Sequence, residues 1–168
     1  MWPSQASGIQ ISDEVVKGFQ EIRTRHQGSD PNERYKLLVF RVSDDEKFII
    51  VDQEVSLKMK DLKDSEDIFK SIVNVFPTNE CRYALYDCTY ENKESVKEDL
   101  VFIMWAPETA PLKSKMVYAS SKGSLRSKLQ GLKIEWQVND LSDIKDTSAF
   151  LEKLGGRQSI KSLEGKTL

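Results

Sequence analysis

Residues 99–122, DLVFIMWAPETAPLKSKMVYASSK, read as a strand, a proline-marked turn and a basic helix in immediate succession. Residues 100–106 are apolar on both alternations, with Val101, Ile103 and Trp105 facing one way and Leu100, Phe102 and Met104 the other. A strand with no polar side needs cover on both faces, which places it at the centre of a sheet with helices above and below. Pro111 suits the first position of the helix that follows, because its φ is already fixed there. At about 100° per residue, Tyr118, Leu125 and Leu129 fall within about 40° of one another and define the buried side. Lys113, Met116 and Ser120 then lie opposite, with Lys115 toward one flank. An outward methionine between two lysines and beside Ser114 offers an adaptable apolar contact inside a ring of donors, suited to a carboxylate-rich hydrophobic cleft on a protein. The plainer alternative bends the helix at residues 120–123, turns Met116 into the core and leaves the lysines as a solvated face.

Working outward, residues 82–90 supply the neighbouring strand, with Tyr83 and Leu85 on one face and Ala84, Tyr86 and Cys88 on the other. Residues 91–98 between the two strands are polar and read as a projecting hairpin loop. Residues 35–42 are again apolar on both faces, and the turn at 43–46 returns into Phe48, Ile49, Ile50 and Val51. Ser12 is placed to cap a helix with an acidic first turn, Asp13 and Glu14, and a buried stripe of Val15, Phe19 and Ile22. Residues 58–64 read as a charged loop, followed by a helical face of Ile68, Phe69, Ile72, Val73 and Phe76 that Pro77 ends. Residues 134–138 give another strand, and residues 142–154 a last helix stopped by Gly155 and Gly156, after which Ile160 and Leu163 let the tail pack back. The sum is an α/β (α+β) fold, a single domain with a central mixed sheet of about five strands flanked by helices on both faces. Residues 1–8 are polar and aperiodic, which predicts a flexible N-terminal arm ahead of a domain over residues 9–168.

The 168 residues suffice for one domain with a real core. With 25 Lys/Arg against 27 Asp/Glu the net charge is only -2, so no global positive field draws the chain to nucleic acid or acidic lipid. No apolar run is long enough to span a bilayer and no secretory leader pattern is present, which predicts a soluble intracellular protein, monomeric and without integral membrane contact. Cys81 and Cys88, seven residues apart in one strand, face opposite ways and cannot bridge each other, so they read as buried thiols in a reducing compartment. His26 is the single histidine, which removes a histidine metal cluster and a Ser-His-Asp triad from consideration. Asp61, Asp64, Glu66 and Asp67 lack the spacing of a calcium loop, and Gly155-Gly156 lacks that of a phosphate loop. No catalytic residue, metal or cofactor is expected.

Longer stretches carry a resemblance. The arm Ala6-Ser7-Gly8-Ile9, the strand Cys81-Arg82-Tyr83-Ala84-Leu85-Tyr86-Asp87 and the run Lys93-Glu94-Ser95 are similar to those of the actin-depolymerising factor and cofilin family, closely so to animal cofilins. The same holds for residues 97–103, 105–108, 110–116 and 118–122, and for the tail residues 152–156 and 162–166. The resemblance implies that family's helix-flanked mixed sheet, which agrees with the strand and helix reading above.

It further implies a non-enzymatic protein that binds monomeric and filamentous actin, prefers the ADP form, twists and severs filaments and promotes depolymerisation. The matching positions for the monomer contact are Ser7, Gly8, Ile9, Lys113, Ser114, Lys115, Met116 and Ser120. Those for the filament contact are Lys97, Glu98, Asp143 and Lys145. Ser7 matches a serine whose phosphorylation by a regulatory kinase, reversed by a phosphatase, abolishes binding, because a dianionic phosphate would be held against an acidic actin surface. Phosphoinositide headgroups would compete through Lys113, Lys115 and Lys122. The expected location is the cytoplasm, on the actin cytoskeleton.

The chain departs from the family in three places. Residues 1–5 precede Ala6, where the family usually begins, and stand where they could obstruct actin or a kinase. Residues 28–34 lack the lysine-rich cluster that serves nuclear import, so import by that route is not expected. Val96 stands where family loops often present a further lysine, which should weaken filament affinity and its salt sensitivity. The alternative reading is a same-fold actin binder that sequesters monomers or stabilises filaments without severing.

Overall fold

The computed structural model describes residues 8–25 and 30–168. Its longest strands, β5 (Arg82–Asn92) and β6 (Val96–Trp105), pair antiparallel from Arg82 opposite Trp105 to Glu91 opposite Val96. β2 (Tyr35–Val42) pairs antiparallel with β5, and β7 (Ile134–Val138) runs parallel to β6 on its far side. β3 (Phe48–Val51) returns from β2 as the expected hairpin, and β1 (Gln10–Ile11) lies parallel to β3 at one edge. β4 (Leu57–Lys58) pairs with β2, while β8 (Ile160–Leu163) and β9 (Lys166–Thr167) form a C-terminal hairpin docked on β5. Since β6 occupies one edge of β5 throughout, β2 and β8 follow each other along the other edge.

The mixed sheet therefore has nine strands among the described residues rather than about five. β1, β4 and β9 are two residues each, too short for an alternating pattern to register in the sequence. Residues 91–98 are another correction. The ladder continues to Glu91 opposite Val96, so the polar stretch is a two-stranded arm with its turn at residues 93–95, where Asn92 Oδ1 accepts from the N–H groups of Glu94 and Ser95 at 2.9 and 2.8 Å. Residues 58–64, expected as a loop, hold the end of β4 and a short 3-10 turn, Met59–Leu62.

Apolar residues on alternate positions sort cleanly between two cores. Leu38, Phe40, Tyr83, Leu85, Phe102 and Met104 meet α1 (Asp13–Thr24) and α3 (Leu112–Lys128) through Val15, Phe19, Ile22, Tyr118 and Leu125. Leu37, Val39, Ala84, Tyr86, Ile103 and Trp105 meet α2 (Ile68–Val73) and the C-terminal helices through Phe69, Ile72, Ile144, Phe150 and Leu151. Cys81 and Cys88 are buried and free, one in each core. Gly18 lets α1 lie close on β2, since a Cβ there would sit 2.7 Å from Leu38 Cδ2.

The last helix is two. α4 (Leu141–Ile144) and α5 (Thr147–Lys153) each begin after an aspartate, Asp140 or Asp146, whose carboxylate accepts from the N–H two residues on at 2.8 and 2.9 Å. The second aspartate starts a new helix where the sequence pattern runs on. Gly155 and Gly156 both take positive φ and end α5, with the Gly156 N–H donating to the Leu151 carbonyl at 2.9 Å. Ser12 occupies the N-cap position of α1, yet its hydroxyl is buried and makes no capping bond.

Candidate functional site

The start of α3 is pinned at several points. The Trp105 indole donates to the Pro77 carbonyl at 2.6 Å, the Thr109 hydroxyl to the Thr78 carbonyl at 2.6 Å, and the Glu108 N–H to the Asn139 carbonyl at 3.2 Å. Pro111 turns out to be the N-cap, not the first helical residue; its carbonyl accepts from the Lys115 N–H at 3.1 Å. From there α3 runs unbroken through residues 120–123, so the bend that would have turned Met116 inward is absent.

The helix wheel holds. Tyr118, Leu125 and Leu129 are buried, Ser120 is exposed, and Met116 is 62% exposed. One turn earlier Leu112 is 69% exposed, so an isobutyl group and a thioether stand together in solvent. Leu112 is a residue the sequence reading passed over, although its position four before Met116 was the signal. Lys113 is exposed, with its ammonium 3.4 Å from Glu46 on the β2–β3 turn. Lys115 is half-buried and donates to the Glu108 carbonyl at 3.2 Å. Ser114, also half-buried, helps line a groove of about 270 Å³ between the helix and that turn.

The first turn of α3 has no side-chain cap and no acidic residue. A helix N-terminus already carries partial positive charge on its free N–H groups, and lysines there oppose the helix's own stability. What the arrangement suits is an external anion.

The lysines expected to meet phosphoinositides do not converge. Lys122 lies on the flank of Lys115, two turns further along, and is paired with Glu135 while donating to Gln137 Oε1 at 3.2 Å. Burial works against the Glu135 charge, but Lys122 and then Arg126 outweigh it and hold the carboxyl below its usual range. Lys113 points from the opposite flank.

The residues expected at a filament contact form two groups. Lys97 and Glu98 are exposed on the β5–β6 arm, with Val96 beside them, and Arg25 lies 3.7 Å from Glu98. Asp143 and Lys145 are exposed in and just after α4, beyond the far end of β7. Val138 pairs with Trp105, so α4 follows the end of β7 that lies roughly 26 Å along β6 from Lys97, at 3.3 Å per residue.

At the N-terminus, Gly8 is exposed with φ +66°, whereas Ile9 is buried in the core with α1 and α3. Ile9 is thus part of that core and not an exposed contact. Ser7 and His26 lie outside the described residues. No helix among the described residues is long and apolar enough to cross a membrane, and no group of three or more His, Cys, Asp or Glu there is arranged to hold a metal ion.

The sequence pattern of the family described as "Cofilin/tropomyosin-type actin-binding protein" matches residues 8–155. The chain belongs to the cofilin/actin-depolymerising factor family. A cofilin from Streptomyces griseoflavus is 31% identical and superposes with a TM-score of 0.70, over 89% of this chain and 100% of that one. Actin depolymerization factor 2 of Plasmodium berghei is 28% identical with a TM-score of 0.68, over 82% and 91%. Coactosin from Entamoeba histolytica, at 22% identity, a TM-score of 0.66 and coverage of 88% and 95%, shares the fold. The family is described as actin-binding, and in this chain α3 lies on the outside of the sheet with the residues of its first turn exposed or half-buried.

Proposed function

We propose that this cofilin-family protein binds actin through the start of α3, both as monomer and in filaments, with preference for the ADP form. The observation that carries the reading is the outward pair Leu112 and Met116 between Lys113 and Lys115 on an uncapped, basic helix start. Two adjacent apolar side chains supply burial worth about 1.5–3 kcal/mol each when covered. The cations and free N–H groups select an acidic cleft.

The separate contacts at Lys97 and Glu98 and at Asp143 and Lys145 span enough of the molecule to touch a neighbouring subunit. Binding two subunits better in a twisted arrangement than in the resting one shifts the filament toward that twist and weakens its contacts. Severing follows from this linkage. Phosphorylation of Ser7 by a kinase, reversed by a phosphatase, would place a dianion where an acidic partner docks. Phosphoinositide headgroups would compete for Lys113 and Lys115, and Lys122 would join only by leaving Glu135. The working location is the cytoplasmic actin cytoskeleton.

Filament co-sedimentation combined with imaging of single filaments tests the reading: the protein should co-sediment and cut. Exposed Val96, beside Lys97 on the arm, favours a second reading, a binder that sequesters monomers or decorates filaments without cutting. Decoration with unchanged filament length would select it.

A further inference from the structure

The ladder between β2 and β5 ends at Leu37 opposite Tyr86, and that between β5 and β8 begins at Tyr90 opposite Leu163. Side chains close the edge of β5 at this joint. The Lys36 ammonium lies 2.9 Å from Glu164 Oε1 and donates to Thr89 Oγ1 at 3.3 Å. Glu164 Oε2 accepts from the Thr89 N–H at 3.2 Å and from the Tyr86 hydroxyl, and the Glu164 N–H donates back to the Thr89 carbonyl at 2.8 Å. Both charged side chains are only 5% exposed.

Glu164 also sits in an unusual backbone position. Glu164 and Gly165 are the two-residue turn between β8 and β9, with φ of +52° and +80°, and such turns favour Asn, Asp or Gly. A longer side chain in the left-handed region is strained, and strain of this kind persists where surrounding contacts over-determine it. Stability does not account for the pair, because a buried ion pair holds a fold little better than apolar groups of the same volume. What it does achieve is geometric. Three segments, β2, β5 and the β8–β9 turn, meet at Thr89, which stands opposite Glu98, and the next residue, Tyr90, stands opposite Lys97.

We propose that Lys36 and Glu164 are a buried clamp that fixes the angle of the β5–β6 arm, making Glu164 a positioning residue for the filament contact at Lys97 and Glu98. The proposal rests on the filament reading of that arm. The clamp lies over the Tyr86 ring, in the core on the other face of the sheet from α3, so filament and monomer binding should separate when it is weakened.

The test compares the full chain with Glu164→Gln, which leaves Lys36 buried without a counter-charge, and with Glu164→Asp, which keeps the charge, shortens its reach and guards against loss of folding. Amide hydrogen exchange over residues 96–99 is measured alongside affinity for filamentous and for monomeric actin. Expected are faster exchange in the arm and filament affinity lowered about fivefold or more in the Gln variant and less in the Asp variant, with monomer affinity within about twofold of the parent. Unchanged exchange in the arm overturns the clamp whatever the binding does. Filament affinity equal to the parent's, or monomer and filament affinities falling together, overturns the positioning role. Should the parent itself fail to bind filaments, the filament reading fails, and the clamp is then decided by the exchange data alone.

Discussion

The start of α3 and the base of the β5–β6 arm handle charge in opposite ways. At the arm's base, ionised groups are buried and answered on all sides: Lys36 and Glu164 pair with each other, and the Asp87 carboxylate accepts from Arg25 at 2.7 and 3.0 Å with Arg34 at 3.8 Å. Burial lowers the proton affinity of Arg25, and the bonds to Asp87 more than restore it. At the start of α3 exposed Lys113 and half-buried Lys115 flank exposed Leu112 and Met116, held by one carboxylate at 3.4 Å and one carbonyl at 3.2 Å. The first region is finished within the chain. The second, on the proposal made above, is completed by a partner, which is how a docking surface differs from a structural network.

The largest effect should come from breaking the finished region. Lys36→Met strands the buried Glu164 carboxylate and is expected to lower stability by about 3 kcal/mol, read from chemical denaturation. Loss below about 1 kcal/mol would mean the pair is not a buried unit.

Glu135 is intermediate, one-third exposed between Lys122 and Arg126. Its folded pKa is lowered, so it contributes stability above the ordinary carboxylate pKa and loses it as pH falls through the lowered value. Glu135→Gln should therefore cost about 0.5–1 kcal/mol at pH 7 and nothing once the parent's carboxylate is protonated. A cost that stays constant with pH would assign the effect to packing.

Ser121, fully buried in α3 with no hydrogen-bond partner, sharpens the comparison from the apolar side. Ser121→Ala should be neutral or stabilising by up to about 1 kcal/mol in thermal unfolding, because it removes a desolvated hydroxyl. A clear loss would show that the hydroxyl is satisfied.

How much of this was legible in the sequence depended on period and length. Strands such as those holding residues 37–40 and 100–105 announced both buried faces because every one of those positions is apolar, and Met116 was readable as outward because Tyr118, Leu125 and Leu129 fix the wheel. Strands of two residues have no period to read. The arm was hidden because Val96, Lys97 and Glu98 pair through the backbone while their side chains face solvent, so composition looked like a loop. The division of residues 142–154 depended on which of several aspartates captures a backbone N–H, a choice that pattern alone does not make. The clamp was the least legible, since Lys36, Thr89 and Glu164 meet only after the tail folds back onto β5.

The smallest structural effect is paired with the largest functional one, and measuring both tests the central claim most directly. The double variant Lys113→Ala and Lys115→Ala should unfold within about 0.5 kcal/mol of the parent, because Lys113 is exposed and half-buried Lys115 makes one surface bond to a carbonyl. In a titration against monomeric actin the same protein should lose affinity by about tenfold or more as two charge contacts disappear. Parent-like affinity in the folded double variant would contradict the account and move the docking surface away from the start of α3.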